Sequence, residues 1–161
     1  MPTQELIREL FDYRDGKLFR SQQNPSKKGV VSGSLDSRGY LTSSVCGRSY
    51  QNHRLIYTMF FGGCPEFLDH INNIKTDNRV ENLRPATRAE NNSNVGLRRD
   101  NTSGVKGVSW HSRDQRWAVR VNIGGTTKHY GYYTDLVQAT EVVMRVRTEL
   151  HGEFCNHGVS L

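Results

Sequence analysis

A carboxylate and an imidazole stand side by side at Asp69 and His70, and two amides follow at Asn82 and Asn91, twelve and then nine residues further on. Hydrolysis of a phosphodiester needs a base for water, a hard cation that takes up charge on the phosphate, and a group that aims the base. An imidazole suits the first role, because its ordinary pKa of about 6.5 leaves it mostly neutral at cellular pH. Carboxylate and amide oxygens favour Mg²⁺ or Mn²⁺ over zinc.

The elements that must position these groups follow from local pattern. Side chains alternate along a strand, so Asp69 and His70 can serve one centre only at a strand end or a bend. The polar run 71–73 supplies such a bend, because Asn tolerates turn conformations. A second short strand is predicted at 79–84. It would form a hairpin with the strand that carries Asp69 and His70, and these two residues would lie near the turn.

A short helix should follow this hairpin. Thr87 and Glu90 fit a capping box, and Gly96 is a plausible end. Asn91 then lies one turn into the helix, where its amide oxygen can return to the Asp69 carboxylate. The sequence therefore predicts a β-β-α arrangement around one divalent ion.

This stretch resembles the HNH endonuclease motif of phage and intron homing enzymes, and the residues that carry the likeness are Asp69-His70-Ile71-Asn72, Asp77-Asn78-Arg79, Asn82-Leu83-Arg84-Pro85-Ala86-Thr87 and Asn91. The resemblance implies that His70 is the general base and that Asp69 and Asn91 are metal ligands. It also implies that Asn82 pins the loop and orients the base. The third family position is Asn rather than His, the H-N-N variant.

Each of these residues alone has a plainer interpretation. A single Asn in a polar stretch is usually a turn former, and a lone His is usually a surface or hydrogen-bonded residue. The combination of types and spacing favours the catalytic interpretation. For His53, which precedes a predicted helix, we expect a structural hydrogen bond.

Composition limits the remaining possibilities. Twenty-two Lys and Arg against sixteen Asp and Glu give a net charge of +6 and a pI near 9.4, which suits a polyanionic partner but also serves solubility. The three cysteines form no C-x-x-C pair, so structural zinc is not expected and reduced thiols are. We find no secretory signal or membrane-spanning run and expect a cytoplasmic protein of a phage-infected bacterial cell, a monomer or a homodimer.

The first part of the chain reads as scaffold for the motif. A helix should begin after Thr3, a hairpin should turn at Asp15-Gly16, and a second hairpin at 40–53 should lead into a helix at 54–61. Lys27 and Lys28 are expected in a solvated polar loop. We predict a nuclease domain over 1–94, a polar linker over 95–103 and a second domain over 104–161.

The last third has its own pattern of three strands, at 107–111, 116–123 and 128–133, and a helix from Asp135 to about Leu150. Alternation along the middle strand puts Arg116 and Arg120 on a wet face and Trp117 on the core face. Side chains that could contact DNA, or could equally be ordinary solvated charges, are Arg98, Arg99, Arg113, Arg116, Arg120 and Lys128.

This segment resembles the Apetala-type (ethylene-response-factor-like) DNA-binding domain that accompanies phage HNH nucleases, on the strength of Val105-Lys106-Gly107-Val108, Arg116-Trp117, Gly131-Tyr132-Tyr133-Thr134 and the closing helix. The resemblance implies a sheet that enters the major groove. The fold class is therefore α+β, a ββα-metal HNH nuclease domain followed by a three-stranded antiparallel sheet plus one helix.

The sequence thus predicts a metal-dependent DNA endonuclease of HNH type that acts on double-stranded DNA with Mg²⁺ or Mn²⁺. Two alternatives stay open. One is a DNA-binding regulator with an inactive nuclease centre, in which His70→Ala and chelation would change nothing. The other is a structure- or RNA-directed nuclease, which would cut RNA or branched substrate in preference to linear duplex.

Overall fold

The structure is a computed structural model and describes residues 1–21, 29 and 31–158. Lys27 and Lys28 lie outside the described residues. The chain forms two compact units, Met1–Ala86 and Thr87–Leu161. Helices and antiparallel sheets occur together, which confirms the α+β class.

The first unit opens with helix α1 (Gln4–Leu10), whose first turn is capped by the Thr3 hydroxyl. Strands β1 (Phe11–Arg14), β2 (Lys17–Arg20) and β3 (Val31–Ser32) form an antiparallel sheet in that order. The predicted turn between β1 and β2 is present: Asp15 and Gly16 have φ of 44° and 76°, the left-handed values that a two-residue hairpin turn requires.

A second small sheet contains β4 (Ser34–Leu35), β5 (Leu41–Val45) and β6 (Arg48–Gln51). Helix α2 (Asn52–Phe61) follows and ends at Gly62, which has the left-handed conformation common at helix ends. The core of this unit lies between α1, α2 and the sheets, and consists of Ile7, Phe11, Leu18, Val45, Leu55, Ile56, Met59 and Leu83.

The hairpin that carries the motif pairs β7 (Phe67–His70) with β8 (Leu83–Ala86). The second strand begins later than the predicted 79–84, because Val80–Asn82 form a turn of 3-10 helix. Pro85 lies within β8, opposite Leu68. A two-stranded sheet has only edge strands, and there a missing N–H can face away from the partner.

The second unit begins with helix α3 (Arg88–Asn94), which has the predicted capping box between Thr87 and Glu90. This helix belongs to the second compact unit. The division into a nuclease domain over 1–94, a linker over 95–103 and a second domain over 104–161 stays a prediction. The segment predicted as a linker is also held in the second unit, because Asn101 donates to the Val105 carbonyl and Ser103 donates to the Val108 carbonyl, at 3.0 and 2.7 Å.

Strands β9 (Val108–His111), β10 (Arg116–Ile123) and β11 (Thr126–Tyr133) form an antiparallel sheet with β10 in the middle. Helix α4 (Leu136–His151), capped by Asp135, covers one face, and a turn of 3-10 helix, Gly152–Phe154, follows it. The buried apolar residues between helix and sheet are Val108, Val119, Val121, Ala139, Val143 and Val146.

Strand β11 contains a bulge that changes which of its side chains face outward. Ala118 pairs with Tyr132, but Arg120 pairs with His129, so β11 has one more residue than β10 between these two pairs. The extra residue reverses the alternation, since side chains change face at every position along a strand. His129 therefore shares the face of Arg120, and Lys128 pairs with the buried Val121.

Candidate active site

Asp69 and His70 lie at the end of β7, immediately before the hairpin turn. Both are buried, with 5% of each residue exposed. The turn closes through a hydrogen bond from the Asn73 N–H to the His70 carbonyl at 2.9 Å, and Asn73 has φ of 61°. The predicted strand end and bend are therefore present, and the Asn residue occupies the left-handed position that it tolerates better than most residues do.

Asn82 holds the two sides of this turn together. Its side-chain oxygen accepts from the Asn72 N–H at 3.1 Å, and its amide nitrogen donates to the Asn72 side chain at 3.0 Å and to the Asp77 carbonyl at 2.7 Å. Its own carbonyl accepts from the Ile71 N–H at 3.0 Å. These contacts connect the two sides of the turn, and the role of Asn82 in orienting the base stays a prediction.

His70 is oriented by a residue that sequence reasoning did not select. Its Nε2 lies 3.0 Å from Oδ1 of Asn78, which is 1% exposed. An amide oxygen only accepts, so in this arrangement Nε2 carries the proton and Nδ1 keeps the lone pair that a general base needs. The pKa of His70 is lowered by burial, against the opposing effects of the Asn78 contact and the Asp69 charge.

His53 packs beside the candidate base. Its ring centroid lies 4.9 Å from that of His70 and 5.1 Å from that of Tyr40. Burial, together with the nearby His70 and Arg54, lowers the pKa of His53 to about 3, so the ring is neutral at cellular pH. Its Nδ1 makes no hydrogen bond among the described residues, so the predicted structural hydrogen bond is absent at this atom and ring packing is the observed contact.

Asp69 is paired across the hairpin with Arg84, its register partner on β8. Nε and Nη2 of Arg84 both donate to Oδ2 of Asp69, at 3.1 and 3.0 Å. Among the described residues, no group of three or more His, Cys, Asp or Glu is arranged to hold a metal ion. If amide and phosphate oxygens complete the shell, as the resemblance implies, the Asp69 carboxylate would suit a hard ion such as Mg²⁺ or Mn²⁺ better than zinc, which prefers thiolate and imidazole ligands.

The loop between the two strands has further internal support. Arg79 forms a bidentate pair with Asp77 at 2.9 and 2.8 Å, which lowers the pKa of Asp77 to about 2. From the other side, the Val80 N–H donates to the Tyr13 hydroxyl at 3.2 Å. The turn of the β1–β2 hairpin also presses on the loop: a Cβ on Gly16 would lie 2.8 Å from the Arg79 nitrogen and 3.1 Å from the Asn78 carbonyl carbon.

Positive side chains flank the buried histidines. The ring centroids of Tyr40 and His70 are 6.0 Å apart. The Lys75 ammonium lies over the Tyr40 ring, 5.0 Å from its centroid, and the Arg38 guanidinium lies 6.0 Å from the same centroid. Lys75 also donates to the Arg38 carbonyl at 2.9 Å. Sequence reasoning missed both cations. Lys75 lies in the motif loop, but only the fold brings Arg38, in the β4–β5 turn, beside it. Both cations make the neighbourhood of His70 attractive to a phosphate.

Asn91 lies one turn into α3, as predicted, and its main-chain N–H donates to the Thr87 carbonyl at 3.0 Å. The helix belongs to the second unit, whereas Asp69, His70 and Asn82 belong to the first. The assignment of Asn91 as a metal ligand stays a prediction.

The residues predicted to contact DNA are all exposed and all lie in the second unit. Arg116 and Arg120 lie on the sheet face away from α4. On this face Arg116 pairs with His111 of β9, and Arg120 pairs with His129 of β11. Lys128 does not share this face, because the β11 bulge places it across from the buried Val121. Arg98 is paired with Asp100 at 3.0 Å, in an exposed contact. Arg99 and Arg113 lie in turns outside the strands.

The outward face of this sheet also has aromatic rings that sequence reasoning did not single out. Tyr132 is 40% exposed, and its ring lies 4.4 Å from that of His129 and 5.3 Å from that of His111. Trp117 lies on the core face, as its alternation predicted, and packs edge-on against Trp110 at 4.9 Å.

Several known sequences are similar to that of this chain. The model of the HNH endonuclease family matches residues 50–93, which include the hairpin and α3 up to Ser93. The chain is 35% identical over 88 residues to protein 3.8 of Escherichia phage T7, an alignment that covers 55% of this chain and 72% of that protein. The chain therefore carries an HNH endonuclease segment at residues 50–93 and belongs to one family with this phage protein.

A second relative is the uncharacterized HNH endonuclease L560 of Acanthamoeba polyphaga mimivirus. It is 34% identical over 123 residues, which cover 74% of this chain and 63% of that protein, so the chain spans less than two thirds of its length. No solved structure matches the chain at a significant level. Among the described residues, no helix is long and apolar enough to cross a membrane.

Proposed function

We propose that this chain is a metal-dependent endonuclease of the phage homing type that hydrolyses a phosphodiester bond in double-stranded DNA. His70 acts as the general base, Asn82 pins its loop, and Asp69 and Asn91 are ligands of one Mg²⁺ or Mn²⁺. The observation that carries this proposal is the buried His70, whose Nε2 is engaged by Asn78 and whose pKa lies below its ordinary value.

The protein's own groups account for the proton transfer. Nδ1 of His70 takes a proton from the attacking water, and the resulting imidazolium keeps its Nε2–H on the Asn78 oxygen, which accepts more strongly from a charged ring. The lowered pKa of His70 keeps the ring neutral and ready to accept a proton at cellular pH. A divalent ion, when bound, supplies stabilisation of the negative charge that develops on the phosphate and the departing oxygen.

Binding to DNA is assigned to the second unit. The proposal is that Arg116 and Arg120, on the exposed sheet face beside Tyr132, contact the duplex in its major groove, in the manner that the Apetala-type resemblance implies. Guanidinium groups suit both guanine edges and phosphates. Lys75 and Arg38 would contact the backbone near the bond that is cut.

The proposal is tested by incubating supercoiled plasmid with Mg²⁺ or Mn²⁺, with and without EDTA. The wild type should cut, EDTA should stop it, and His70→Ala should slow cleavage by about 10²–10⁴-fold, the usual contribution of a general base. His157→Ala, a histidine outside the proposed site, is the matched control and should cut normally.

Cleavage by His70→Ala at the wild-type rate would overturn the assignment. A wild type that binds duplex but cuts nothing with any divalent ion would identify a regulator with an inactive centre. Preferential cutting of RNA or branched DNA would identify a structure- or RNA-directed nuclease.

A further inference from the structure

The last turn of α3 is held by two side chains of the second unit. The Lys106 ammonium donates to the Ser93 carbonyl at 3.0 Å and also to the Val95 carbonyl. Nδ1 of His151, at the end of α4, lies 3.2 Å from the Ser93 hydroxyl. The helix end is therefore fixed against residues that lie before the sheet and at the end of α4.

These contacts matter because α3 is short. The carbonyls of the last turn of any helix lack partners within the helix, and a cation at that end is favourable. A helix of seven residues is not stable by itself in water, so contacts of this kind determine where it lies. Asn91 is two residues before Ser93, and its position therefore depends on how the end of α3 is held.

We propose that Lys106 is a positioning residue for the amide of Asn91, because it holds the end of the helix that carries this proposed metal ligand. The inference rests on the proposed function, which makes Asn91 a ligand. Outer groups that orient a metal ligand typically change metal affinity by about 10–100-fold when they are removed.

The experiment measures Mn²⁺ binding to the full chain without DNA, from the electron paramagnetic resonance signal of the free ion. Lys106→Met keeps the aliphatic stem and removes the ammonium, and should weaken Mn²⁺ binding by about tenfold or more. Lys106→Arg keeps the charge and the donors and should recover most of the affinity. Lys17→Met, an exposed lysine of β2, is the matched control. DNA affinity in EDTA should be the same for all four proteins.

Unchanged Mn²⁺ affinity in a folded Lys106→Met protein would overturn the inference. Should that variant fail to fold, Ser93→Ala removes the contact with His151 and is expected to weaken Mn²⁺ binding in the same direction. Asn91→Ala separates the two proposals. If it binds Mn²⁺ normally, the ligand assignment itself is wrong, and the inference falls with it. If it binds weakly while Lys106→Met and Ser93→Ala bind normally, only the inference is wrong.

Discussion

Replacing Arg84 by Met should destabilise the protein strongly in the absence of metal. The substitution leaves the Asp69 carboxylate in place without its guanidinium partner. The side chains of Arg84 and Asp69 are only 12% and 7% exposed, so water cannot replace the lost interaction. Removal of one partner of a buried ion pair typically costs about 3–5 kcal/mol.

The expected change in melting temperature follows from the size of the unit. In domains of this length a loss of 1 kcal/mol lowers Tm by roughly 4–8 °C, so the lower estimate of about 3 kcal/mol corresponds to a decrease of about 12 °C or more. Urea unfolding and thermal melting in EDTA measure the two quantities directly.

Metal should reverse part of this loss. Without Arg84 the Asp69 carboxylate becomes a better ligand, and Mn²⁺ at one hundred times its dissociation constant would add about 2.7 kcal/mol to the free energy of unfolding. The double variant Asp69→Asn, Arg84→Met is the control, since it removes the uncompensated charge and should be more stable than Arg84→Met alone. Wild-type stability of Arg84→Met in EDTA would refute this reasoning, as would a double variant no more stable than the single one.

Three further predictions concern other groups of the two units. The neutral, buried His53 has a folded-state pKa of about 3, below its ordinary value, so the unfolded chain takes up the proton first. The contribution of neutral His53 to the free energy of unfolding should be full above about pH 6.5 and decrease as the pH falls toward 3, with a loss of about 2 kcal/mol at pH 5. Urea unfolding at several pH values should show this loss in the wild type and not in His53→Phe. Asn78→Ala should slow single-turnover cleavage by up to about 10²-fold through misplacement of the base, with unchanged DNA affinity; an undiminished rate would show that the amide does not orient His70. The log-log slope of DNA affinity against salt should be about −4 to −5 in the wild type if about five phosphates are neutralised. Arg120→Ala should make this slope shallower by about one, and Lys128→Ala should change it less. Equal effects of the two substitutions would contradict the assignment of the two residues to different sheet faces.

The elements that could be predicted from sequence are those with a strong local signal. Thr87 and Glu90 marked the start of α3 through a capping box, and Asp15-Gly16 marked a hairpin turn. The apolar stripe of α4 gave that helix to within a residue at each end. In each case the residues that determine the element lie close together in the sequence.

The features that could not be predicted depend on register and packing. Arg84 reaches Asp69 only because β7 and β8 pair in one particular register, and Asn78 reaches His70 only because the intervening loop folds back. The face on which Lys128 lies is set by the bulge in β11, which the sequence pattern does not reveal. The packing of α3 in the second unit depends on Lys106 and His151, whose contacts are distant in sequence.

The close approach of Gly16 to the loop at Asn78 and Arg79 gives the β1–β2 hairpin a mechanical role. Any side chain at this position would meet main-chain atoms of that loop, and the left-handed φ of 76° disfavours other residues as well. The hairpin tip therefore supports the loop that carries Asn78, the residue in contact with the proposed base His70. A random-mutagenesis screen for loss of cleavage should therefore return substitutions at Gly16, more than fifty residues before the histidine that they disable.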